Sequence, residues 1–135
     1  MRFSNNTGIE EIVKAIVNAA YDIHTRLGPG LFESVYEEIL SVELEKLGLH
    51  VVRQKILPLT WEGRTLEKAF KADLVVNDKV IIEVKAVESL APVHFKQLLT
   101  YLRVTDMRIG LLINFDQATL KGNIRRVVNN YEPEL

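Results

Sequence analysis

The chain has 135 residues, 47% of them hydrophobic and 26% charged, with a formal net charge of −1 and no cysteine. That length holds about one domain with a single core, and the lack of Cys excludes disulfides and thiolate chemistry, leaving oxygen and imidazole as the metal ligands on offer. No apolar run approaches the roughly 20 residues that span a bilayer, and Met1-Arg2-Phe3-Ser4-Asn5-Asn6 lacks the apolar stretch of a signal peptide, so a cytoplasmic protein without membrane contact is expected.

Ile9, Ile12, Val13, Ile16, Ala20, Ile23 and Leu27 recur at spacings of three and four, the stripe of an amphipathic helix, with Thr7 and Glu10 as its expected capping box. Gly28-Pro29-Gly30 interrupts the chain. A second stripe follows through Phe32, Val35, Tyr36, Ile39, Leu40 and Leu47 and ends at Gly48. The pattern then turns to strands: Val51 to Trp61, a turn at Glu62-Gly63, Leu66 to Val76, a turn at Asn77-Asp78, and Val80 to Val87, an antiparallel meander. Pro92 suits the first turn of a helix that Phe95, Leu98, Leu99 and Leu102 carry to about Thr105. Ile109-Gly110-Leu111-Leu112-Ile113 reads as a strand buried on both faces, and Ile124 to Val128 is a candidate edge strand. The order α-α-β-β-β-α-β, with one further strand, predicts an α/β fold: one domain over 1–135, a mixed β-sheet flanked by helices.

Parity locates a site on the central hairpin. A two-residue loop would set Asp73 against Ile82 and Ala72 against Glu83, mixing charge and apolar side chains on both faces. A three-residue loop, Asn77 to Lys79, pairs Phe70 with Ala86, Ala72 with Val84, Leu74 with Ile82 and Val76 with Val80, a wholly apolar face. The other face then carries Asp73 opposite Glu83, Lys71 opposite Lys85 and Val75 opposite Ile81. Facing Cβ atoms lie about 4.5 to 5.5 Å apart, so both carboxylates would reach one cation and would repel each other without it. Carboxylate oxygens with water are the donor set of Mg²⁺ or Mn²⁺. Lys85, two residues past Glu83 on the same face, would orient an attacking water or steady charge on a phosphate. The same four residues would also serve as a solvated sheet face with crossed ion pairs.

Asp73, the triplet Glu83-Val84-Lys85 and Gln97-Leu98-Leu99-Thr100-Tyr101 together resemble the PD-(D/E)XK nuclease superfamily, including the Q-x-x-x-Y signature of one of its branches. Upstream, Gly30-Leu31-Phe32-Glu33-Ser34-Val35-Tyr36 fits G-x-x-E-x-x-Y, the motif of the GxxExxY family within it. The resemblance runs from about Ile9 to Val128 and implies a restriction-endonuclease-like core. It implies Glu33 as an auxiliary acid, Asp73 and Glu83 as metal ligands, Lys85 as the catalytic lysine, and Gln97 with Tyr101 as a polar pair approaching from the third helix. Ala72 stands where the superfamily's name has Pro.

Each residue also has a plainer role open to it. A carboxylate at Glu33 is favoured by the helix dipole alone, Gln97 and Tyr101 would make a local polar pair, and Tyr36 lies on the apolar stripe with a hydroxyl that needs a partner. Tyr36, Tyr101 and Arg103 are the candidate substrate contacts, with His94 a further one. Arg103, Arg108, Lys121, Arg125 and Arg126 concentrate positive charge in the C-terminal third, as a phosphate track or as solvated surface. The expected activity is metal-dependent hydrolysis of phosphodiester bonds in DNA or RNA. The alternative is a nuclease-fold module without turnover that binds nucleic acid or a protein partner. The strand from Val51 to Trp61 is the expected place for a homodimer or partner contact, unless its apolar residues simply pack in the core.

Overall fold

The computed structural model describes residues 2–132. Three helices and five strands follow in the order α1 (Ile9–Leu27), α2 (Glu33–Lys46), β1 (Val51–Trp61), β2 (Arg64–Val76), β3 (Val80–Lys85), α3 (Pro92–Thr105), β4 (Ile109–Asn114) and β5 (Ile124–Val128). The expected order holds, including the closing edge strand. The strands form one mixed sheet in sequence order. β1, β2 and β3 make the antiparallel meander, α3 crosses over to lay β4 parallel to β3, and β5 returns antiparallel to β4.

Helices cover both faces of the sheet. Ile12, Ile16, Tyr36, Leu40 and Leu44 of α1 and α2 pack on Leu74, Val76, Val80, Ile82, Val84, Leu111 and Ile113. Leu98, Tyr101 and Leu102 of α3 pack on Leu57, Ala72, Val75, Ile81 and Leu112 on the other side. This explains why β4 is buried at all six positions and reads as an unbroken apolar run. Gly110 lets α3 come close: a Cβ there would lie 2.8 to 3.0 Å from the side chain of Leu98.

Local chemistry departs from the sequence expectation in three places. The N-cap of α1 is Gly8, without a side-chain cap bond. Thr7 instead accepts the Ser4 N–H at 2.9 Å, and Glu10 joins Arg126 and Tyr131, so no capping box forms. Phe32 is not on the buried stripe of α2; it is the N-cap residue, one position before the helical phase begins, and is 82% exposed. β3 stops at Lys85 rather than Val87, because the segment after it turns away to bond with Asn114 and Gln117.

The β2–β3 hairpin turns through Asn77 and Asp78, both at positive φ, and its ladder pairs Leu74 with Ile82, Val75 with Ile81 and Val76 with Val80. That is the register of the three-residue loop. The ladder ends there, so Phe70 with Ala86 and Lys71 with Lys85 do not pair; Phe70 and Lys71 pair with Leu57 and Ile56 of β1 instead. Nor is one hairpin face apolar and the other polar. Val75 and Ile81 are buried under α3, while Ala72 shares that side although Leu74 and Val76 face α1 and α2. The change of side falls at Asp73 and at Gln54 across from it, which sits at φ 49° and rolls the ribbon over. Beyond this roll β1 and β2 leave β3 as a two-stranded arm, with Trp61 near its tip 67% exposed.

Candidate active site

The parting of β2 from β3 sets the site. Where the next backbone rung would fall, side chains replace it: the Asp73 N–H donates to Glu83 Oε2 at 3.0 Å, and the Val84 N–H donates to Asp73 Oδ2 at 2.8 Å. Each carboxylate thus commits one oxygen to the other strand's backbone and keeps a second. Asp73 Oδ1 meets the amide of Gln54 only at 3.4 Å.

Glu83 is buried, at 5% exposure. Burial first, and then the charge of Asp73, push its carboxyl up to about 8, against a smaller opposing pull from Lys85. The proton it holds at neutral pH is the compensation the pair has in the absence of a cation. Tyr101 lies over the pair from α3, stacked on Phe70 with ring centroids 4.7 Å apart. Its hydroxyl is shifted up by burial and by the nearby charges of Glu83 and Asp73, with a hydrogen bond from Gln97 acting the other way. Tyr101 is thus the α3 side chain that senses the acidic pair, and Gln97 neighbours it one turn earlier on the helix.

Glu33 reaches the same region from α2. Its Oε1 accepts the Ala86 N–H at 3.1 Å, one residue past Lys85. Glu33, Ser34, Glu37, Gln54, Asp73 and Val84 line a hollow of about 290 Å³. Glu37 and Gln54 escaped sequence reasoning. Gln54 Nε2 donates to Glu37 Oε1 at 2.6 Å and bridges it toward Asp73, while Arg53 holds Glu37 at 3.6 Å and Glu38 at 3.9 Å. The one signal for Glu37 was its i,i+4 spacing from Glu33, which puts both on one face of the helix. Gln54 carried none.

Behind the site, buried Asn114 pairs in register with Lys85. Its Oδ1 accepts from Val87 and Asp116, and its Nδ2 donates to the Val87 carbonyl at 2.9 Å. Gln117 also donates to the Val87 carbonyl, and its own carbonyl meets His24 Nε2 at 2.8 Å. The segment carrying Lys85 is thereby tied to β4 and α1.

Other sequence candidates make their contacts with other parts of the chain. Tyr36 is fully buried, donates to the Gly28 carbonyl at 2.6 Å, accepts from the Leu31 N–H and stacks on Phe115, so its hydroxyl is spent in the loop before α2. Arg103 is exposed two residues after Tyr101, about 200° around the helix from it. His94 accepts the Ala91 N–H and closes the start of α3. The C-terminal cations do not gather into a track: Arg126 pairs with Glu10, Arg108 with Asp106, and Arg125 lies over Phe95.

Among the described residues, no three acidic, imidazole or thiol side chains converge as a ready-made metal cage. The residues nevertheless fit a divalent cation bound mainly by water: two adjacent carboxylates, each with one hard oxygen not taken up by the facing backbone, where burial first and the Asp73 charge second leave Glu83 holding a proton that a cation would replace. No helix is long and apolar enough to cross a membrane among the described residues.

Comparison with curated proteins and with solved structures gave no match. A family model described as the PD-(D/E)XK nuclease superfamily, in contrast, matches residues 10–127, which take in nearly all of α1, the whole of α2, the acidic pair, α3 and nearly all of β5. The chain belongs to the PD-(D/E)XK nuclease superfamily.

Proposed function

We propose that the protein is a metal-dependent nuclease that hydrolyses phosphodiester bonds in DNA or RNA, and that within its superfamily it is a GxxExxY protein, through Gly30, Glu33 and Tyr36. The observation that carries the reading is the pair of bonds at the fork of β2 and β3, where Glu83 accepts the Asp73 N–H and Asp73 accepts the Val84 N–H. It draws two carboxylates together against their repulsion, which a sheet face built for solvation has no need to do.

Asp73 and Glu83 are the ligands for Mg²⁺ or Mn²⁺, which when bound supplies Lewis-acid polarisation of the phosphate and a more acidic water. Lys85 emerges at the end of β3, fixed by the Asn114 bonding behind it, and its ammonium orients the attacking water and offsets negative charge gathering on the phosphate. Glu33, anchored on the Ala86 N–H, places a carboxylate beside Lys85 as the auxiliary acid. Gln97 holds the Tyr101 hydroxyl, and the two complete the polar shell from α3.

The test is cleavage of supercoiled plasmid, single-stranded DNA and RNA with Mg²⁺ or Mn²⁺, comparing wild type with Lys85→Ala and Asp73→Ala. Loss of a positioned charge or ligand should lower the rate by roughly a hundredfold or more in each variant while the fold is retained. Wild type that cleaves none of the three substrates, and shows no metal binding by calorimetry, would overturn the proposal.

A further inference from the structure

Phe32 is the most exposed of the large hydrophobic side chains at the site, with 82% of its surface in water. Isolated exposed apolar residues are ordinary on a surface, so exposure alone means little. Its setting adds two observations. The loop that carries it is fixed rather than loose, because the buried Tyr36 hydroxyl ties the Gly28 carbonyl to the Leu31 N–H. And Phe32 lines a hollow of about 460 Å³ with Leu31, Glu33, Ser34 and Ala86, while Glu33 and Ser34 also line the hollow that holds Asp73. The two hollows thus meet at Glu33 and Ser34, with the Phe32 ring on one side of those residues and Asp73 on the other.

We propose that Leu31 and Phe32 form a base-stacking ledge at the mouth of the acidic site, so that the preferred substrate presents an unstacked nucleobase, as single-stranded DNA or RNA does, beside the bond to be cut. This rests on the nuclease reading. The chemistry matches on each count. A planar ring in water stacks with any base, which is the sequence-tolerant mode of single-strand binding. Within a duplex each base is already stacked on its neighbours and its ring face is not on offer. The ledge also explains how a chain with a net charge of −1 and an acidic site would retain a polyanion: part of the attraction is apolar and does not depend on a basic surface.

The experiment uses the full chain with Ca²⁺ in place of Mg²⁺, so that binding is followed without turnover. Because Trp61 is the sole tryptophan, Trp61→Phe combined with Phe32→Trp places a single fluorophore on the ledge. Short single-stranded DNA, single-stranded RNA, blunt duplex and a fully abasic single strand are titrated, and Phe32→Ala is measured by fluorescence anisotropy of labelled oligonucleotides. Quenching of the ledge indole by base-bearing single strands, with Phe32→Ala weakening those by roughly tenfold and leaving the abasic strand unchanged, is the expected result. The DNA and RNA arms show which sugar the ledge accepts. Equal binding of base-bearing and abasic strands, or equal loss on every ligand, would overturn the ledge, as would the indifference to oligonucleotides expected of a protein-docking ring. Mg²⁺-dependent cleavage by wild type that persists unchanged in Phe32→Ala removes only the ledge. Neither binding nor cleavage of any ligand removes the nuclease reading and the ledge with it.

Discussion

Glu83→Gln should make the metal-free protein more stable at alkaline pH, the opposite of what removing a buried, hydrogen-bonded acid usually does. Burial and Asp73 raise the Glu83 carboxyl from 4.5 to about 8 in the folded protein. In the unfolded chain it ionises near its ordinary value, so between about 4.5 and 8 the folded state holds the extra proton. Stability from this group is therefore fully present below pH 4.5 and lost as pH rises through about 8. At about 1.4 kcal/mol per pH unit the ceiling on the loss is near 5 kcal/mol, and water entering the fork brings it to a few kcal/mol. Glutamine keeps an acceptor for the Asp73 N–H but cannot ionise, so the variant lacks the loss. Urea unfolding from pH 5 to 9 in chelator measures it as the difference between wild type and Glu83→Gln, in which the titrating groups away from the Asp73–Glu83 pair cancel. Wild type should fall relative to the variant across that interval and level off above pH 8; adding Mg²⁺ should restore wild type and leave the variant nearly unmoved. A difference that stays flat with pH, or that rises, would refute the account of the carboxylate pair.

Two further outcomes follow from residues around the pair. Gln54→Asn tolerates the left-handed backbone but falls short of Glu37 and Asp73, so Mg²⁺ affinity by calorimetry should drop about tenfold with little change in melting temperature; unchanged affinity would show that the bridge has no part in positioning Asp73. Gly110→Ala drives a methyl into Leu98, which is fully buried and has no room to withdraw, and should cost about 1 to 3 kcal/mol in thermal or urea unfolding. Combining it with Leu98→Ala should cost less than the two changes separately, and strict additivity would refute the contact.

What the sequence reveals and what it conceals divide by the range of the interaction that decides each residue. Periodicity and turn residues act over a few positions, and they sufficed for the element order, the hairpin register at Leu74, Val75 and Val76, and the adjacency of Asp73 and Glu83. Parity assumes that a strand keeps its faces, and it fails at Gln54, whose positive φ reverses the ribbon; the reversal takes Lys71 away from Lys85 and leaves Ala72 on the side of α3. Phe32 fails for a related reason, since helical spacing to Val35 and Tyr36 has no meaning for a residue outside the helix. Glu37 and Asn114 owe their roles to partners 17 and 27 residues away in the chain, Gln54 and Val87, and no local pattern encodes such a bond. The fork itself joins the two ranges. Pairing register brings Asp73 opposite Glu83, but only the departure of β2 from β3 frees two backbone N–H groups for the carboxylates to accept, and so turns a repulsive cross-strand pair into a place where charge must be compensated. Short-range pattern thus picks out the two carboxylates, and the long-range break in the sheet brings them together as a candidate site.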